Sequence, residues 1–196
     1  ETLNGYDGTV SFKSFDELLY KYQIDIKNQV KAIFEEKVLD LLEEDKVRFK
    51  PQNPCSVVSL FEHSCIEKGL SYKEGGTVYT VISPHIGGLP DAVNSLYAIK
   101  KAVFDDKLIS FDRFMEILKN NWEKEEELRK RILSGYTYFG NDNDEADEIA
   151  ARVLDGFSDS CMEYDGKTPI RFVSGVSTFG RQIEWAPARS AAPFGR

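Results

Sequence analysis

His85 is a residue whose type and position could take part in chemistry. It precedes the glycine pair 87–88, and the β-branched and aromatic residues 77–82 predict a strand before it. Pro90 predicts the first turn of a following helix, whose N-terminus favours an anionic group. A glycine-rich turn lets backbone approach a ligand closely, and an imidazole can donate, accept or carry charge at the mouth of a pocket. Taken alone, these residues favour an ordinary solvated loop histidine.

Other combinations of reactive residues fail on spacing. Cys65 and His63 stand two apart in a predicted helix, where such residues do not face each other, so Cys65 is interpreted as a small buried residue. Asp142 opens an Asp- and Asn-rich stretch, but Asp147 and Val153 stand where a calcium loop needs Gly and Glu. A turn with a helix N-cap is favoured there. With only two histidines, a histidine-rich metal site is not expected.

Charge and cysteine content exclude several protein classes. The 196 residues carry a net charge of -8 and no basic stripe, so a nucleic-acid partner is not expected. Acidic runs such as 123–127 are interpreted as solvated helix faces. No apolar run is long enough to cross a membrane, and no signal-peptide pattern is present. Three cysteines without a Cys-x-x-Cys pair indicate reduced thiols in a cytoplasmic protein.

Helix signals dominate the chain. Ser14 and Glu17 form a capping box before a long amphipathic helix that should end before Pro51. Gly69 should end a shorter helix over residues 54–68. Further helices are predicted over residues 90–103, 110–122, 123–133 and 144–164.

Strand signals occur only at 77–82 and 170–176. Two lone strands do not make a stable sheet. We therefore predict an α/β fold that is mostly helical, with isolated strands whose sheet partners lie outside the chain. Residues 191–196 resemble a connector rather than the end of a domain, and residues 1–196 are interpreted as one partial domain.

Seven short pieces occur in an order more informative than any single piece. They are Cys65-Ile66-Glu67-Lys68-Gly69, Gly75-Gly76-x-x-Tyr79, Val93-Asn94-Ser95-Leu96-x-Ala98-Ile99-Lys100-Lys101, Val103-Phe104-Asp105-Asp106-Lys107, Leu118-x-x-Asn121-Trp122, Tyr138-Phe139-Gly140-Asn141-Asp142 and Ala192-Pro193-x-Gly195-Arg196. Together they resemble the C-terminal half of the pyruvate formate-lyase-like glycyl radical enzymes. The resemblance implies that the chain is part of the family's α/β barrel.

Two stretches mimic the family's radical motifs out of place. Cys65 lies in a Cys-x-Glu sequence, but Ser64 stands where the thiyl loop has Gly. Residues 171–175 mimic the glycyl radical loop, yet they precede the Ala-Pro-x-Gly-Arg piece instead of lying well beyond it. No catalytic residue is assigned. The resemblance implies that the thiyl cysteine lies before Glu1 and the radical glycine after Arg196, so the chain alone should be an inactive fragment.

The resemblance also implies a mechanism for the full-length enzyme. A radical S-adenosylmethionine activase makes the glycyl radical, which passes to a cysteine, and the thiyl abstracts hydrogen from a small organic substrate. The implied reaction is C–C or C–X cleavage of the formate acetyltransferase, dehydratase or decarboxylase type. Anaerobic function, a homodimer and no cofactor bound in this chain are also expected.

The loop at residues 83–88 matches a family segment that lines the substrate pocket. In the arylacetate decarboxylase branch, a Glu at the place of His85 contacts substrate. The resemblance therefore implies that His85 binds substrate, with Ser83, Ile86 and Ile82 as its neighbours. Asn94, where many members have Asp, is a departure from the family pattern.

An alternative is a stand-alone acidic helical scaffold or interaction module without catalysis. The acidic surface, the long first helix and the lack of a complete site favour it. This alternative predicts an independently cooperative fold, whereas a fragment should expose apolar strand edges and aggregate.

Overall fold

The computed structural model describes residues 11–40, 56–168, 170–177 and 191–196. Most of these residues are helical, which confirms the helix-rich character expected from the sequence. The helices are α1 (Phe15–Ile33), α2 (Ser56–Ser59), α3 (His63–Lys68), α4 (Leu89–Ile99), α5 (Phe111–Lys119), α6 (Glu126–Gly135) and α7 (Asp144–Met162). The strands are β1 (Thr80–Ile82), β2 (His85–Ile86), β3 (Ile170–Phe172) and β4 (Gly175–Val176).

Two helices continue directly into π-helical segments. Phe34–Val38 follows α1, and Lys100–Asp105 follows α4. A short 3₁₀ turn, Tyr72–Glu74, lies between α3 and β1. The predicted end of the first helix before Pro51 and the residue Cys55 lie outside the described residues.

The chain forms two compact units. The first unit consists of Glu1–Ile24, Ile86–Gly156 and Val176–Arg196. The second unit consists of Asp25–His85 and Phe157–Gly175.

Several predicted helix ends are confirmed by their local hydrogen bonds. Ser14 Oγ accepts the Glu17 N–H at 3.2 Å, and Ser110 Oγ accepts the Arg113 N–H at 3.3 Å. The return bond of the first cap differs from the prediction, because the Glu17 carboxylate accepts the Lys13 N–H at 2.7 Å. Gly69 ends α3 in the left-handed conformation that favours glycine.

The helix predicted over residues 54–68 is wrong as one continuous element. It is divided into α2 and α3 by residues 60–62, and Glu62 is extended at the start of α3. The break has a physical reason. Apolar residues at 57, 58, 60 and 61 are exposed in the described fold, so no packed face holds that turn in a helix.

The two predicted strands are not isolated, which corrects the expectation from the sequence. β1 and β3 pair in parallel, with Thr80 opposite Ile170 and Ile82 opposite Phe172. The predicted loop at 83–88 contains β2, which pairs with β4, so the strand predicted at 170–176 is divided in two. Additional sheet partners outside the chain stay a prediction.

The first unit is held by aromatic packing around α4, α5 and α6. The Phe114 and Trp122 rings lie 5.7 Å apart, and Tyr138 lies 6.0 Å from Phe194. Residues 191–196 are anchored here, since Trp122 Nε1 donates to the Ala192 carbonyl at 3.2 Å and Arg129 Nε donates to the Gly195 carbonyl at 2.8 Å. The C-terminal residues are therefore part of this unit's packing.

The second unit has an aromatic core under the β1–β3 pair. Phe172 is fully buried, and its ring lies 5.2 Å from Phe34 and 6.3 Å from Tyr164. Cys161 is also fully buried, and burial raises the pKa of its thiol to about 11. Such a thiol is a packing residue rather than a nucleophile.

Candidate functional site

The candidate site lies where the chain leaves β1 and enters β2. Ile82 is the last residue of β1, held opposite Phe172 by the strand pairing. Ser83 is half-buried, and His85 is exposed. Ile86 is half-buried, and its carbonyl accepts the Ser177 N–H at 3.2 Å. Strand pairing thus holds the backbone on which the predicted substrate-binding residues sit.

Ser83 and His85 converge on Gly175. A methyl group placed on Gly175 would lie 2.8 Å from His85 Nε2, 2.8 Å from Ser83 Oγ and 2.9 Å from His85 Cδ2. Because His85 Nε2 and Ser83 Oγ both lie 2.8 Å from that one position, the distance between these two atoms is at most twice 2.8 Å. The backbone is tied at the same place, because the Gly175 N–H donates to the Pro84 carbonyl at 2.9 Å.

This geometry provides two hydrogen-bonding groups on one small surface. A hydroxyl can donate and accept, and an imidazole can donate, accept or transfer a proton. One polar group of a small ligand can reach both Nε2 and Oγ. The arrangement is suited to orienting a hydroxyl or carboxyl group, and the exposed ring leaves access from solvent.

The sequence named Ser83 and His85 but not Gly175. The structure brings these three residues together, and Ile82, the last residue of β1, directly precedes Ser83. From the sequence, Gly175 could be considered only as part of the stretch that mimics a radical loop. No sequence signal gives its distance from a histidine ninety positions away. A glycine in a strand, which often marks a close approach of other groups, was the one available signal.

Cys65 and Asn143 have the structural roles that the sequence predicted. Cys65 is buried, whereas His63 is exposed and pairs with Glu67 at 3.2 Å, so the two do not form a nucleophile–base pair. Asn143 Oδ1 accepts the Glu145 N–H at 3.1 Å, as expected of a helix N-cap. In the described residues, no group of three or more His, Cys, Asp or Glu side chains could hold a metal ion.

A separate cleft of about 680 Å³ lies in the first unit. Its wall holds a group of ion pairs in which Lys100 bonds to both Asp105 and Glu145. Lys101, outside the lining, joins the group at 3.0 Å from Asp105. Arg152 and Asp16 form a further pair in this cleft at 2.9 Å. Because these charges already satisfy one another, we interpret the group as a structural network.

Asn94 also has a structural explanation. Its Oδ1 accepts the Phe139 N–H at 3.0 Å, joining α4 to the Tyr-Phe-Gly-Asn-Asp piece that carries part of the family resemblance. A carboxylate oxygen can accept the same bond, so the Asp common in the family and the Asn here fit one role.

None of the helices in the described ranges combines the length and the apolar character that a bilayer crossing requires.

Comparisons with known proteins agree with this fold. The family model described as Pyruvate formate lyase-like matches residues 4–184. The probable dehydratase YbiW of Escherichia coli is 28% identical over 195 residues, which are 95% of this chain and 23% of that protein. Trans-4-hydroxy-L-proline dehydratase of Clostridioides difficile is 30% identical over 75% of this chain and 18% of its own length. (2S)-3-sulfopropanediol dehydratase of Klebsiella oxytoca is 30% identical over 81% of this chain and 18% of its own length.

Solved structures give the same result. A structure from Roseburia inulinivorans, described for 1,2-propanediol dehydration, matches with a TM-score of 0.77 and 25% identity over 98% of this chain and 26% of that one. Hydroxyproline dehydratase of Clostridioides difficile matches with a TM-score of 0.69 and 27% identity over 95% of this chain and 23% of that one.

The chain belongs to the pyruvate formate lyase-like family of glycyl radical enzymes. It spans about a quarter or less of the length of these relatives. Dehydratases are prominent among them, and isethionate sulfite-lyase of Bilophila wadsworthia, 35% identical over 56% of this chain and 12% of its own length, adds a second lyase reaction.

Proposed function

We propose that this chain is part of a glycyl radical lyase that removes water from a small hydroxylated substrate, and that residues 82–86 line its substrate pocket. The observation that carries the pocket assignment is the convergence of Ser83 Oγ and His85 Nε2 over Gly175. The reaction class is supported by the relatives, several of which are named dehydratases. The formate acetyltransferase and decarboxylase types have no such support.

The proposed residue roles follow from their chemistry. Ser83 and His85 bind substrate hydroxyl groups, and His85 delivers a proton to the hydroxyl that leaves as water. Ile82 supplies an apolar surface beside these groups, and Ile86, the residue after His85, stays a proposed substrate-binding neighbour. In the balanced step, one hydroxyl group leaves as water with the proton from His85, and a proton of the remaining substrate returns to His85. The hydrogen atom taken by the thiyl is given back to the product, so no external oxidant or reductant is consumed.

The radical chemistry belongs to the rest of the proposed enzyme. In this proposal the rest of the enzyme supplies the thiyl cysteine and the radical glycine, and an activase makes the glycyl radical. The protein then positions the substrate and excludes competing reactions. The β1–β3 pair supports a larger assembly, because two short strands are not stable by themselves.

The first test is the open reading frame on both sides of the chain. We expect a Gly-Cys-x-Glu loop upstream and an Arg-Val-x-Gly-Tyr-like loop downstream. Stop codons or unrelated sequence on both sides would contradict the proposal and favour the scaffold alternative.

The second test concerns His85 in the full-length activated enzyme. His85→Ala should lower turnover by about 10²-fold or more, the usual scale for a lost acid–base group, without changing the glycyl radical yield measured by electron paramagnetic resonance. His63→Ala is the matched control, because His63 is exposed on α3 and pairs with Glu67 one turn along the same helix. Unchanged turnover in His85→Ala would show that this residue is not in the pocket.

A further inference from the structure

Among the glycines that the structure describes, Gly175 is unlike most in the physical reason that favours glycine. It does not have the positive φ that favours glycine at Gly69, Gly75 or Gly88. Its backbone conformation is open to any residue, yet the space beside its Cα is filled by Ser83 and His85. Ser83 and His85 can therefore occupy this space because Gly175 has no side chain.

We propose that Gly175 is a positioning residue that sets where the His85 imidazole and the Ser83 hydroxyl point. This inference rests on the proposed function, in which those groups bind substrate. The distances of 2.8 Å to Nε2 and Oγ are shorter than any normal contact of a Cβ atom, so a methyl group must displace at least one of them. The displaced group is functional in the proposal, which makes residue 175 a determinant of turnover.

The backbone role of Gly175 can be separated from its space-giving role. Its N–H donates to the Pro84 carbonyl at 2.9 Å, and alanine keeps this bond. Gly175→Ala therefore adds one methyl group at the site while preserving the strand pairing. The extended conformation of β4 also accepts alanine without backbone strain.

The test uses the full-length activated enzyme. Gly175→Ala should lower kcat by about 10- to 100-fold, the scale expected when a reacting group is misplaced by about 1 Å, with the radical yield unchanged. In a Ser83→Ala/His85→Ala background the same substitution should add little further loss, because both groups that it can displace are already gone. Gly135→Ala is the control, since a methyl group at Gly135 in α6 meets no atom within 4 Å, and its kcat should stay at the wild-type value.

The outcomes separate this inference from the proposed function. Loss of turnover in His85→Ala but not in Gly175→Ala would overturn the positioning role and leave the pocket assignment intact. A crystal structure of Gly175→Ala with a displaced ring, together with full turnover in both variants, would support the packing but overturn the pocket assignment and the role in turnover. A full further loss from Gly175→Ala in the Ser83→Ala/His85→Ala background would also overturn the inference.

A further set of variants tests the inference if Gly175→Ala does not fold. If Gly175→Ala does not accumulate, Ser83→Ala/His85→Ala should be compared with the same protein carrying Gly175→Ala as well. Both should melt at the same temperature, because the three close atoms are absent from each. Failure of the triple variant alone would show that the methyl group clashes elsewhere and would overturn the inference.

Discussion

Asp165 and Arg171 form a two-point ion pair at the start of β3. Arg171 Nε lies 2.9 Å from each oxygen of the Asp165 carboxylate, and its Nη2 lies 2.8 Å from Oδ2. Asp165 Oδ1 also accepts the Phe172 N–H at 2.8 Å. The bonds from Arg171, followed by the bond from Phe172, lower the pKa of the Asp165 carboxyl. Arg171 thus has a structural role in the stretch that mimics a radical loop.

Asp165→Asn should destabilise the strand pair at neutral pH. Because the folded-state pKa of Asp165 is lowered, the stabilisation is fully present above its unfolded-state pKa of about 4 and is lost as the pH falls through the folded value. Melting of the full-length protein should show a difference between wild type and variant that shrinks as the pH is lowered from neutrality. Asp159→Asn, an exposed carboxylate on α7, is the control. A pH-independent difference would contradict this account.

Glu145→Gln should weaken the ion-pair network of the first unit. The bond from Lys100 lowers the pKa of Glu145, and the pKa of Lys100 is raised, since its bonds to Asp105 and Glu145 outweigh the effect of burial. The carboxylate contribution is therefore present above about pH 4 to 5 and lost on acidification, while the lysine contribution is present below about pH 10 and lost as the pH rises through the raised value.

The expected cost of Glu145→Gln is about 0.5 to 1 kcal/mol at low salt, because the network is partly exposed. Denaturant unfolding at neutral pH should show a smaller cost at 1 M salt, where charges are screened. Glu148→Gln, one turn further along α7, is the matched control and should change stability less. Equal effects of the two substitutions would show that the ion-pair network does not stabilise the fold.

Local signals in the sequence predicted individual helix caps, although they missed the break within residues 54–68. Ser110 and Gly69 confirm their predicted roles, because a cap depends on residues within one turn. The pairing of Thr80 with Ile170 could not be predicted in this way. A strand pattern indicates an extended segment with a buried face, but it carries no information about which distant segment will pair with it.

The residues of the candidate site also differ in whether the sequence could predict their roles. His85 and Ser83 could be named from the resemblance, since residue types are visible in the sequence. Gly175 could not be assigned, because its role depends on the distance of its Cα from two side chains that reach it only after β2 and β4 pair. The order of the motifs in the sequence argued against a radical role for Gly175 but supplied no alternative role.

Gly76→Ala should be among the most destabilising small substitutions in the second unit. A methyl group there would overlap the Leu70 carbonyl oxygen and lie 2.7 Å from Cys65 Sγ and 2.8 Å from the Ser71 carbonyl oxygen. Two of these atoms are backbone and cannot move aside, so we expect a cost of about 3 kcal/mol or more.

Gly75→Ala is the matched control for that substitution. Gly75 has a φ of +86° but meets no atom within 4 Å, so alanine there costs only backbone strain of about 1 to 2 kcal/mol. Denaturant unfolding of both variants should place Gly76→Ala well below Gly75→Ala. The reverse order would mean that backbone conformation, rather than space, explains this glycine pair.

The isolated 196-residue chain should self-associate. Large apolar side chains are exposed throughout the segment from residue 57 to residue 81, which we call the apolar segment. Its most exposed members are Val57, Leu60, Phe61, Val78 and Tyr79. Exposed apolar side chains next to short strands favour association, and in the proposed enzyme the rest of the polypeptide would cover them.

Light scattering and thermal melting of the isolated chain test this prediction. Leu60→Ser/Phe61→Ser should reduce association, since Phe61 is 85% exposed and contributes little to folding. Tyr20→Ser is the control, because Tyr20 is 65% exposed on α1 outside the apolar segment, and it should have a smaller effect. A monodisperse chain with a sharp melt would contradict the fragment interpretation. It would favour an independently folded scaffold module, because such a chain would need no further polypeptide to cover its apolar segment.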